Sequence, residues 1–178
     1  MRRHAVALTA ALMAVGAGCG VGTSGPVPAG PPASGLRAPG SVRSYAQVYF
    51  VGPYGVQAVA RRVTPPAGPQ QALDLLLAGP DAAERARGLI TEVPPMPGRP
   101  TATAGSGAVD LYLPVPVARM NGGGLGVTQL VCTVANAVVP GGKQPSAVDV
   151  RVHEAATPGI WTVRCTASGN VLPVPDAS

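Results

Sequence analysis

Ala147-Val148-Asp149-Val150-Arg151-Val152-His153 is the segment on which the fold turns. Its valines recur at every second position, and a period of two marks a half-buried β-strand. Val148, Val150 and Val152 therefore face a core, while Asp149, Arg151 and His153 face out. Upstream, residues 125–138 carry Val127, Leu130, Val131, Val134 and Val138 at helical spacing and predict a helix, although β-branched side chains are stiff there. Residues 108–113 (Ala-Val-Asp-Leu-Tyr-Leu) precede that helix as a strand, and residues 160–165 follow the alternating segment as the last strand.

Further out, residues 45–51 form a β-rich run, Gly52-Pro53-Tyr54-Gly55 has turn composition, and Val56 to Val63 reads as the second strand of a hairpin. Pro69 is placed as the first residue of a helix whose Ala72, Leu73, Leu76 and Leu77 share one face. Gly79-Pro80 stops it, and Asp81-Ala82-Ala83-Glu84 predicts a capping box opening a short second helix. Residues 94–107 read as a long Pro/Gly/Thr loop. Strands interleaved with two main helices give an α/β (α+β) fold, a small mixed sheet of about four to five strands packed by those helices.

The N-terminus has a different character. Met1-Arg2-Arg3-His4 is positive, and Ala5 to Val15 is an apolar stretch of signal-peptide length, shorter than the roughly 20 residues a bilayer span needs. Gly16-Ala17-Gly18-Cys19 resembles a lipobox, which implies cleavage before Cys19 and a diacylglycerol on its thiol; Gly16 stands where lipoboxes carry a large aliphatic residue. The other reading is a secretory leader cut after Ala17, with the product released. Residues 20–44 contain Gly, Pro, Ser, Ala and Val with two arginines, no aromatic and no period, the composition of a disordered Pro-rich tether. The expected organisation is a leader at 1–18, a lipid-anchored tether at 19–44, a folded domain at 45–168 and a flexible tail at 169–178.

The cysteine count agrees with export. With Cys19 acylated, Cys132 and Cys165 remain, an even number suited to one disulfide in an oxidising compartment. Two cysteines without CxxC spacing or an adjacent histidine make a poor metal site. The 24 Gly and 21 Pro, about a quarter of 178 residues, are concentrated in the tether and loops. A net charge of +5, two of it from the leader, without a basic stripe, argues against nucleic-acid binding.

Val48-Tyr49-Phe50-Val51, then Ala72-Leu73-Asp74-Leu75-Leu76-Leu77-Ala78-Gly79-Pro80, then Glu84-Arg85-Ala86-Arg87-Gly88-Leu89-Ile90-Thr91 resemble the GerMN domain of sporulation and spore-germination lipoproteins of Gram-positive bacteria. Val109-Asp110-Leu111 and Gln129-Leu130-Val131 continue the likeness, which spans residues 47–152. It implies a compact α/β envelope domain similar to ring-building motifs, with no catalytic residues to transfer. After Asp110 the chain departs from the family pattern, placing Pro and Gly where a polar stretch is usual.

The expected function is non-catalytic: an extracytoplasmic, membrane-anchored lipoprotein that binds or scaffolds another envelope protein, without cofactor or metal. A cell-wall polymer module is the alternative, framed by the hairpin and the 94–107 loop, and a wall-acting hydrolase the less favoured one. An enzyme would need Asp110, His153 and a hydroxyl to converge; Ser106 lacks the G-x-S-x-G elbow. The mature chain's one histidine, His153, reads as a solvated surface residue. Gly122-Gly123-Gly124-Leu125-Gly126 lacks dinucleotide spacing and reads as flexible linkage, and Gly142-Lys143 lacks the rest of a P-loop. Arg61-Arg62 read as charges guarding the hairpin edge against pairing, with lipid phosphate or acidic wall polymer as the other contact open to them.

Overall fold

The computed structural model describes residues 45–120 and 124–175. The leader, Cys19 and the tether lie outside the described residues, as do Asn121, Gly122 and Gly123.

Strand β1 (Tyr45–Gly52) turns through Pro53 and Tyr54 into β2 (Gly55–Arg62), an antiparallel hairpin. Helix α1 (Pro69–Leu77) starts on proline and buries Ala72, Leu73 and Leu76. Gly79, at φ 75°, leaves its end by a left-handed turn that glycine adopts without a Cβ clash. Asp81 then caps α2 (Ala82–Ala86) in the expected capping box. Strands β3 (Thr101–Gly105) and β4 (Ala108–Leu113) form a second hairpin, and α3 (Leu125–Ala135) crosses to β5 (Asp149–Glu154), followed by β6 (Ile160–Cys165) and β7 (Val171–Pro173).

The fold is mixed α+β, with a five-stranded sheet in the order β3-β4-β5-β6-β7. Only β4 and β5 run parallel; the other neighbours are antiparallel. The β1–β2 hairpin does not join this sheet and stays a two-stranded sheet of its own. Helix α3 packs against β1 and α1 as well as against β4, β5 and β6. Contact on several sides explains why Gly126, Val127 and every residue from Gln129 to Ala135 are buried, and this burial outweighs the modest helix propensity of its β-branched residues. Phe50, Leu73, Leu76, Leu111, Leu130, Val150 and Val152 fill the core between the layers. Cys132 on α3 and Cys165 at the end of β6 are bonded, with Cα atoms 5.0 Å apart.

Three expectations are corrected. Residues 94–107 are not all loop: Thr101–Gly105 is a strand, small and polar enough to show no apolar period, recruited by pairing with β4. The tail expected from residue 169 is ordered in its first half, because Asn170 C=O accepts from Thr166 N–H at 2.8 Å and folds Val171–Pro173 back onto β6. The helix expected to reach 138 ends at Ala135, and the Val138 N–H instead donates to the Ala67 carbonyl at 2.9 Å.

Candidate functional site

A groove of about 810 Å³ lies between the C-terminal half of α1 and the segment from Thr91 to Pro100, within the range of ligand-binding clefts. Its helical wall is Asp74, Leu77 and Ala78; its other wall includes Glu92, Val93, Pro94, Met96 and Arg99. Why the second wall stands away from the helix follows from its anchors. Ile90 exchanges two backbone hydrogen bonds with Val51, at 2.8 and 2.9 Å. The Glu92 N–H then donates to Gln129 Oε1 at 2.7 Å. Gly126 completes the seat, since a Cβ there would lie 2.6 Å from the Glu92 carbonyl oxygen. Gly126 is thus a close-packing residue and not flexible linkage. Beyond Val93, Pro94, Pro95, Pro97 and Pro100 remove N–H donors and fix φ, which keeps this wall from folding back into a ladder.

Asp74 Oδ1 and Arg99 Nη2 join the two walls at 2.9 Å. Both side chains are exposed, so the pair is worth at most about 1 kcal/mol and opens readily to a competing charged group. Two carboxylates and one guanidinium among mostly apolar neighbours suit an apolar segment carrying a basic residue.

The polar residues singled out in the sequence lie elsewhere, on the face of the five-stranded sheet turned away from the core. The β4–β5 register pairs Asp110 with Arg151 and Tyr112 with His153. Asp110 Oδ1 lies 2.9 Å from His153 Nε2, and Asp110 Oδ2 accepts from Arg151 Nη2 at 2.5 Å. Burial raises the Asp110 carboxyl, but hydrogen bonds from His153 and Arg151 and their charges outweigh it and hold the group below the usual carboxylate range. The Tyr112 ring stacks on His153 at 4.2 Å. His153 is therefore a bonded and stacked residue, not the solvated one expected. Asp110 and His153 do converge, yet among the described residues no hydroxyl hydrogen-bonds to either. Ser106 occupies the β3–β4 turn, beyond the Gly105–Ala108 pair and at the far end of the face from His153.

Arg61 does not guard the hairpin edge as expected. It turns inward, donating to Glu84 Oε1 at 2.9 Å and to Glu84 Oε2 at 2.5 Å, and lies over the Phe50 ring. Only Arg62 remains at the edge, beside Tyr45.

Among the described residues no group of three His, Cys, Asp or Glu is placed to hold a metal ion, and no helix is long and apolar enough to cross a membrane. No family model, curated protein or solved structure matches the chain.

Proposed function

We propose that the protein is a non-catalytic cell-envelope lipoprotein, anchored through acyl chains on Cys19, whose folded part docks another envelope protein in the groove between α1 and residues 91–100. The observation that carries this reading is the groove itself, whose far wall is held in place by Gln129, Gly126 and Val51. The GerMN resemblance supports it, because the two most family-like segments, 72–80 and 84–91, supply Asp74, Leu77, Ala78 and Thr91 to the groove. The lipobox-like leader and the even number of remaining cysteines support the anchor. Function is then positional: the lipid sets where the domain works, and the groove sets what it holds.

A photo-crosslinking side chain in place of Met96, in the intact envelope, tests this. A protein adduct that disappears with Asp74→Lys is expected; adducts to wall polymer alone, or none, overturn the reading. The polymer alternative has one observation in its favour, the exposed ring of Tyr112 stacked on His153 beside Asp110 and Arg151, a platform on which a sugar ring can lie. It requires that Tyr112→Ala abolish binding to purified wall polymer.

A further inference from the structure

The sheet edges of this protein are bonded to a neighbouring element or cut short, with one exception among the described residues. On β1, Tyr49 is bonded on the edge away from β2: its N–H donates to Thr133 Oγ1 at 3.1 Å and its carbonyl accepts from Gln129 Nε2 at 2.8 Å. Val51 continues that edge with its two bonds to Ile90. On β3, the Ala102 N–H donates to Gln70 Oε1 at 2.8 Å, so α1 closes that edge. Strand β7 is three residues long and ends on Pro173, which cannot donate. Strand β2 is eight residues long, and no described residue hydrogen-bonds its outer backbone groups, although the β6–β7 turn approaches its Val56 end, where a Cβ on Gly169 would lie 3.7 Å from the Val56 carbonyl oxygen.

Which groups those are follows from the register. Tyr49 points its backbone away from β2, so its partner Ala58 points away from β1, and the alternation of antiparallel pairs extends this to Val56, Ala60 and Arg62. Ala58 and Ala60 are exposed. Residues 55–60 hold no charge, proline or bulge, the devices by which edges are usually blunted. Arg61, the residue that would guard this edge, is taken inward by Glu84.

We propose that β2 pairs with β2 of a second copy, antiparallel about a twofold axis through Ala58, joining the two hairpins into one four-stranded sheet. The sequence is self-complementary in this register. Ala58 meets itself, Val56 meets Ala60, and all three positions present outward N–H and C=O groups. The small alanines let the backbones approach. The two Arg62 side chains lie at opposite ends, each opposite Tyr54 of the other copy, which is 96% exposed at the hairpin tip, so a cation meets an aromatic ring and no like charges meet. An isologous contact of this kind closes at two copies. None of these residues lines the groove, so dimerisation leaves it open.

The test is sedimentation of the full chain in detergent across micromolar to millimolar concentration, with Ala58→Glu and Ala58→Lys. Wild type is expected to shift from monomer to dimer. Each variant alone should weaken the dimer about tenfold or more, since two like charges then face each other across the axis, and an equimolar mixture of the two should restore it. Both substitutions lie on an exposed position, and unchanged circular dichroism checks the fold. Amide exchange gives the independent readout: Ala58 and Ala60 should exchange fast at low concentration and slowly at high. A monomer throughout, a dimer indifferent to both variants, a mixture that fails to restore it, or Ala58 and Ala60 amides protected at every concentration would each overturn the proposal.

Discussion

Gln129 on α3 holds Tyr49 of β1 by the backbone: its Nε2 donates to the Tyr49 carbonyl at 2.8 Å while its Oε1 accepts from the Glu92 N–H at 2.7 Å. One fully buried side chain thereby ties the hairpin to the wall of the groove. Thr133, one turn on, takes the Tyr49 N–H at 3.1 Å. These two residues replace the neighbouring strand that β1 lacks, which is why the hairpin stays apart from the five-stranded sheet.

Gln129→Leu keeps the volume and removes both bonds. Leaving the buried Tyr49 carbonyl and the part-buried Glu92 N–H unpaired should cost about 2–6 kcal/mol, from about 1–3 kcal/mol each. Thr133→Val, which orphans one N–H, should cost about half as much. Urea denaturation monitored by circular dichroism checks both, and equal stability of Gln129→Leu and wild type would rule this account out.

Glu84 closes the α2 capping box and neutralises Arg61, with only 3% of its side chain exposed. Glu84→Ala should therefore destabilise by about 3 kcal/mol, the scale for breaking a largely buried pair by removing one partner. Arg61→Ala should cost a comparable amount, since it leaves the more buried Glu84 carboxylate without its counter-charge, though still bonded to the Asp81 N–H at 2.7 Å. Thermal unfolding of the two variants checks both.

Acid should weaken the fold through carboxylates held below their usual range. On Asp110 and Asp149 burial acts upward, but His153 and Arg151 for the first, and Arg164 and Lys143 for the second, prevail. On Asp81 the backbone N–H of Glu84 lowers the group. A carboxyl with a lowered folded pKa contributes stability that is fully present above the unfolded value and is lost as pH falls through the folded one. The melting temperature should stay level from neutrality to about pH 5 and decline below about pH 4. Asp110→Asn should flatten part of that decline.

Cys165→Ala opens a loop spanning 33 positions, and the chain-entropy scale puts the loss at about 3–4 kcal/mol. Both cysteines are buried, so a reducing agent at neutral pH should act only as fast as the domain unfolds. Thiol labelling with and without denaturant measures this.

Cys19→Ser should leave the folded domain intact and release it from membranes. Membrane fractionation with a lipid-label assay reads the result; the variant remaining in the membrane pellet would count against the anchor.

Much of this fold is visible in the chain because the signals are local. The valine alternation at 148–152, the Pro69 start, the Gly79 stop and the Asp81–Glu84 box each report a conformation set within a few residues. The site was less legible. Asp110 and His153 could be named as candidates, but their contact depends on β4 and β5 pairing in parallel across 43 positions of chain. Gln129 and Thr133 carry a sequence signal of their own, two polar residues one turn apart inside an apolar helix, but the backbone groups they bond lie far along the chain.

Local signals in the chain specify the order of the main strands and helices, the even pair of cysteines, and the polar and apolar faces of β5, because periodicity, capping and turn chemistry act between near neighbours. Tertiary structure alone decided that the hairpin would stand apart from the larger sheet, that Thr101–Gly105 and Val171–Pro173 would become strands, and that Arg61 would turn inward and leave β2 uncovered. Each of those outcomes rests on a partner far along the chain (α3 for β1, β4 for β3, β6 for β7, Glu84 for Arg61). Backbone hydrogen bonds and ion pairs form wherever a complementary group is brought within reach, and only the folded chain determines which group that is.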